Sequence, residues 1–190
     1  MKRGDFLADS NITKRALAAA LKELMAEMPF SKININDICE KCDMNRKSFY
    51  YHFQDKYALL NWIYDTEFIA IARKKTYDSG WQFLYDICTY FYRNKQFYRK
   101  ALLIKGQNSF SEHFRELMLP VITEYLKGIF SEQELLPFHI NFFADAYICA
   151  IERWLLEKDC IPPEEFLALL KSCVQNIAFH ATKELEQGQH

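Results

Sequence analysis

The residues best suited to chemistry lie close together between positions 34 and 56. Asn45, Arg46, Lys47 and Ser48 put two cations and two hydrogen-bonding side chains in one run. Tyr50, Tyr51 and His52 follow, each able to donate a hydrogen bond to a phosphate oxygen. Phosphate contacts fix register on a duplex and base-edge contacts select sequence, so a set offering both kinds of donor suits a nucleic acid. Arg46 carries the planar fork that reads guanine O6 and N7, a pairing worth about 1–3 kcal/mol of discrimination. Asn34 and Lys56 flank the run and add a polar group and a charge. Two cations on a helix are by themselves more often a solvated face, so the elements around them decide the reading. No competing chemistry is present in the sequence: there is no nucleophile–base pairing, G-x-S-x-G, Gly-rich phosphate loop or convincing metal spacing. An enzyme is not expected, nor a cofactor or a metal.

The local signals position these residues well. Asn34 reads as an N-cap, and Asp37 at the third position completes a capping-box pattern. A two-turn helix, Ile35–Cys42, follows, with Ile38 and Cys42 facing inward. Asp43-Met44 is a tight turn, Asn45 is a second N-cap, and a short helix runs to Phe53. Phe49 and Phe53, four apart, anchor its inner face. This is the helix-turn-helix layout, whose second helix enters the major groove with its N-terminal residues at base edges. Asp55 caps the next start. Ahead of these elements, Ile12, Ala16, Ala20, Leu24 and Met28, with Leu17 and Leu21 beside them, predict a helix that Pro29 ends.

Composition sets the fold class. The 190 residues include only 5 Gly and 5 Pro but 16 Phe, 11 Tyr and 3 Trp, which argues for long helices and against hairpins. The expected fold is all-α: a three-helix N-terminal helix-turn-helix domain over 1–54, then about six longer helices over 55–190. The latter are placed at Lys56–Lys75, Trp81–Arg93, Lys95–Lys105, Phe110–Phe130 with a kink at Pro120, Pro137–Lys158, and from Pro162-Pro163 to Leu185. Residues 1–56 carry a net charge of +2 and residues 57–190 a net of −3, so a polyanion partner belongs at the N-terminal end. No apolar run suggests a membrane span or a secretory signal, so the expected location is cytoplasmic and the 6 cysteines are expected as reduced thiols. Cys39 and Cys42 form a C-x-x-C read as small packing residues, with redox sensing as the alternative.

The stretch Ile35-Asn36-Asp37-Ile38-Cys39, then Met44 through Phe53, then Lys56 and Leu59, resembles the DNA-binding domain of the TetR family of transcriptional regulators. Cys39 and Cys42 stand where that family usually has Ala, Asn45 where Ser is common, and Asp43 where the turn usually has Gly. The motif covers about residues 12–60; the remainder matches in length and helical pattern. Ser79-Gly80-Trp81 and the aromatic run after it look like the branch containing dihydroxyacetone-kinase operon regulators.

The resemblance implies a C-terminal ligand-sensing and dimerisation domain. The helix from Ile140 is apolar nearly all round, and the last helix carries an apolar stripe. A homodimer interface is therefore expected at Phe142, Tyr147, Ala150, Trp154, Phe166, Leu170, Cys173 and Ile177. An effector site for a small apolar or aromatic molecule is expected at Trp81, Tyr90, Phe91, Phe97, Leu102, Phe114, Met118, Phe143 and Tyr147. Solid core is the competing reading for these aromatics. The expected function is a ligand-responsive repressor that binds a near-palindromic operator as a homodimer. A co-regulator of the same fold, acting through a protein partner, is the alternative.

Overall fold

The computed structural model describes the backbone of residues 3–106, 108–127 and 136–187, and side chains from residue 10 to residue 176 except 107, 125 and 127–135. The described residues form no strand; the elements are helices α1 (Arg3–Glu27), α2 (Ile35–Lys41), α3 (Arg46–His52), α4 (Lys56–Tyr64), α5 (Ala70–Ala72), α6 (Gly80–Arg93), α7 (Lys95–Leu102), α8 (Phe110–Lys127), α9 (Leu136–Leu156) and α10 (Pro163–Gln187). Among the described residues no helix is long and apolar enough to cross a membrane.

The N-terminal bundle follows the cap signals. Helix α1 packs on α2, α3 and α4 through Leu17, Leu21, Leu24 and Met25. Ile12 was expected on that buried stripe but is 65% exposed, so the buried stripe of α1 begins after it, at Leu17. Asn34 closes a full capping box with Asp37. The α2–α3 turn is a Schellman motif: Met44 N–H bonds the Cys39 carbonyl at 2.8 Å and Asp43 N–H bonds that of Glu40 at 3.3 Å. Asp43 takes the left-handed position at φ 54°, where glycine is usual.

The single helix expected over 56–75 is interrupted. After α4, residues Asp65–Ile69 form a π-helical turn before α5. The turn is held from outside. Asp65 meets His113 of α8 at 2.7 Å, and Glu67 takes Lys22 of α1 at 2.5 Å and the Tyr90 hydroxyl of α6 at 3.0 Å. Lys100 of α7 donates to the Met25 and Ala26 carbonyls at the end of α1. These side chains fasten the N-terminal bundle to the rest.

The C-terminal part surrounds an aromatic core. Tyr64, Phe91, Tyr98, Phe110 and Phe114 are at most 1% exposed. Their rings lie 4.9–6.3 Å apart in edge, tilted and stacked contacts, including Phe91–Tyr98 at 4.9 Å and Phe110–Phe114 at 6.3 Å. Arg99 caps the end of α9, donating to the carbonyls of Leu155, Glu157 and Lys158. Helix α8 passes through Pro120, and α10 packs on α6.

Candidate nucleic-acid interface

Helix α3 divides its residues between two faces. Phe49 is fully buried and Phe53 is 6% exposed, so this face is fixed in the bundle. Asn45, Arg46, Lys47, Tyr50 and Tyr51 are exposed, while Ser48 and His52 are half-buried. Asn45 starts the helix by accepting from the Ser48 amide at 2.9 Å and the Ser48 hydroxyl at 3.2 Å. Arg46 and Tyr50, one turn apart, share a 3.3 Å hydrogen bond that steadies the guanidinium. Tyr51 is 69% exposed, and its ring meets His52 edge-on at 4.8 Å. Burial, and then the nearby Lys14 charge, lower the His52 pKa below its ordinary value. His52 is therefore a neutral donor at pH 7.

Arg46 also borders an open groove of about 550 Å³ lined by Asn34, Asn36, Asp55 and Lys56 among others. Of the expected set, Arg46, Asn34 and Lys56 thus border one groove. Lys56 departs from its expected role as a charge contact. Its ammonium donates to the carbonyls of Phe30 at 2.7 Å and Ile33 at 2.6 Å and sits 4.4 Å from the Phe30 ring centroid. Burial lowers its pKa, with Asp37 opposing. Lys14 stands outside the expected set. Its ammonium lies 5.9 Å from the Phe53 ring and 6.0 Å from Trp62, beside the end of α3. Nothing in the α1 pattern distinguishes it from Arg15, since only the packing of α1 on α3 gives it that place.

Cys39 is buried, and Cys42 donates to the Ile38 carbonyl at 3.2 Å. Burial raises both thiol pKa values, which keeps the thiolate scarce.

The effector residues do not come together in one place. Phe91 and Phe114 belong to the filled core, and Leu102 is buried at 2% exposure. Tyr90 hydrogen-bonds Glu67 and Tyr98, while Phe97 packs edge-on against Tyr98 and under Lys22. These five are corrected to structural roles, Phe91, Phe114 and Leu102 in the core and Tyr90 and Phe97 in contacts with Glu67, Tyr98 and Lys22. Trp81, Met118 and Tyr147 do line a common apolar cavity of about 40 Å³ between α6, α8 and α9, and Phe143 stacks on Tyr147 at 6.3 Å.

The interface residues also divide. Trp154 and Phe166 are 3% and 8% exposed and stack on each other at 4.6 Å, and the Trp154 indole donates to the Ile161 carbonyl at 2.8 Å. They join α9 to α10 within one chain, which corrects their assignment to a subunit contact. Phe142 is 58% exposed and Cys173 is exposed, while Tyr147, Ala150 and Leu170 are half-buried. The Ile177 side chain lies outside the described residues. Ala150, Leu170 and Cys173 border an apolar groove of about 450 Å³ between α9 and α10. Phe138 and Leu169, at 69% and 60% exposure, extend the apolar surface.

Comparison with known proteins bears on these features. Residues 16–63 match the family model described as bacterial regulatory proteins, tetR family. Residues 80–176 match a TetR model described as transcriptional regulator C-terminal region. The HTH-type dhaKLM operon transcriptional activator DhaS of Lactococcus lactis is 29% identical over 141 residues, covering 74% of this chain and 73% of that protein. A TetR transcriptional regulator from Streptococcus agalactiae superposes with a TM-score of 0.67 at 22% identity, over 91% of this chain and 99% of the other. The structure of a dihydroxyacetone kinase operon activator DhaS superposes at 0.62 and 21% identity, over 88% and 97%.

Proposed function

The chain belongs to the TetR family of transcriptional regulators, and we propose that it binds a near-palindromic operator as a homodimer. The observation that carries this reading is the division of α3, with Phe49 and Phe53 buried and Arg46, Lys47, Tyr50 and Tyr51 exposed. In this reading the N-terminal end of α3, Asn45, Arg46, Lys47 and Ser48, faces base edges, with Arg46 as the guanine reader, while Tyr50, Tyr51 and His52 donate to phosphates and Asn34 adds a polar contact. Residues 1–54 form the DNA-binding domain and residues 55–190 the regulatory one. A second protomer covers the exposed surface of Phe142, Leu169 and Cys173, and the two-fold places two α3 helices one DNA turn, or a multiple, apart.

Two readings of the regulation have support. The apolar cavity at Trp81, Met118 and Tyr147 suits a small apolar effector whose binding shifts the spacing of the two α3 helices, giving a ligand-responsive repressor. Activation through a protein partner is favoured by the filled aromatic core and by the 29% identical relative named as an operon activator.

The test is a gel shift with duplex DNA from upstream of the chain's own gene. Wild-type protein is expected to retard it as two protomers per site, and Arg46→Ala and Tyr51→Ala to lose retardation while keeping the wild-type melting temperature. Normal retardation by both variants refutes the assignment of α3. A fragment retarded only after a second protein is added selects the partner-dependent reading.

A further inference from the structure

A lysine at the first position of a helix is electrostatically misplaced, because the N-terminal end of the macrodipole is positive. Lys56 holds that position in α4. It is compensated by two backbone carbonyls, Phe30 at 2.7 Å and Ile33 at 2.6 Å, reached across 26 and 23 residues of sequence. Those carbonyls belong to the two ends of one feature, the 3-10 turn Phe30–Lys32 and its C-cap Ile33. The side chains join in: Phe30 is 4% exposed beneath the ammonium, and its ring meets Tyr57 of α4 edge-on at 5.1 Å. Ile33 is 1% exposed and immediately precedes Asn34, whose capping box orders the first turn of α2. Arg46 of α3 borders the same groove as Asn34 and Asn36.

We propose that Lys56 is a positioning residue for DNA binding. Its ammonium ties both ends of the Phe30–Lys32 turn to the start of α4 and so sets where the capped end of α2 stands relative to α3. This rests on the reading of α3 as the DNA-contacting helix. It differs from a phosphate contact by Lys56 itself, since here the charge is spent on the protein's own carbonyls.

The experiment is equilibrium binding of the full-length Lys56→Met variant to the upstream duplex across a salt series. It is paired with amide hydrogen exchange of the DNA-free protein. Positioning predicts at least tenfold weaker binding, an unchanged slope of log K against log salt, and faster exchange at the Asn34 and Asp37 amides of the capping box, with Phe49 and Tyr50 unaltered. A slope shallower by about 0.9 per protomer is the signature of a lost phosphate contact and overturns the proposal. Affinity equal to wild type overturns it too. Should the Met variant not fold, Lys56→Gln, also uncharged, carries the same comparison. Wild-type protein that binds no duplex at any salt refutes the DNA reading instead. The exchange arm then tests the lock alone, with unchanged α2 amides counting against it.

Discussion

The N-terminal bundle and the aromatic C-terminal core use side chains in opposite ways. In the bundle, short helices are started by Asn34, Asn45 and Asp55, each accepting from an amide three residues on. Polar side chains are thereby held outward at fixed helix ends. In the core, Tyr64, Phe91, Tyr98, Phe110 and Phe114 fill space against one another, and what they can do depends on the gaps they leave. Local chemistry sets the first arrangement and the meeting of distant elements sets the second. Substitutions should therefore damage binding in one region and folding in the other.

The largest effect is expected in the core. Phe91→Ala removes a fully buried ring and should destabilise the fold by about 3–5 kcal/mol, read by chemical denaturation. A loss below about 1 kcal/mol would mean that the core closes over the missing ring and does not depend on its packing. In the bundle, Arg46→Ala should weaken operator binding by about 1–3 kcal/mol with little change in stability. A matching fall in melting temperature would erase the contrast between the regions.

Smaller changes probe the helix ends. Asn45→Ala removes the α3 cap and should lower stability by about 1 kcal/mol, measured by urea unfolding. Asp43→Gly should raise stability by about 0.5–1 kcal/mol, because glycine takes φ 54° without the Cβ penalty and the entropy of glycine offsets only part of the gain. Destabilisation would show that the Asp43 side chain contributes to the turn.

The smallest effect is electrostatic. Burial, and then Lys14, lower the folded-state pKa of His52 below its ordinary value. The contribution of a neutral His52 to stability is complete above the unfolded-state value of about 6.5 and is lost as pH falls through the lower folded value. Melting temperature should therefore fall more between about pH 7 and about pH 5 in wild type than in His52→Gln. Parallel curves would remove His52 as a source of the pH dependence.

The same contrast explains what could be read from the residues alone. Both Asn caps, the Asp43 turn and the Phe49–Phe53 anchors depend on neighbours within a few positions, and each stands where the pattern puts it. The π-helical turn at Asp65–Ile69 could not be read that way. Its partners Lys22, Tyr90 and His113 lie 23–48 residues away, and the apolar period runs on through it. The same holds for Lys56: its place after the Asp55 cap is local, but its acceptors are not. For Trp154 and Phe166, an α9 that is apolar on nearly every side does not disclose which side meets its own chain. Their 4.6 Å stack answers that. The effector expectation needed the shape of a void, and side-chain types do not encode one.

Arg46 is the guanine-reading residue of α3 in the proposed interface. The most direct measurement is the ratio of affinities for the upstream duplex and a scrambled duplex of equal length, at fixed salt, for wild type and Arg46→Ala. Wild type should show a clear preference that falls by about 5- to 150-fold in the variant. An undiminished ratio, with both affinities lowered equally, would make Arg46 a backbone contact and refute its place at base edges.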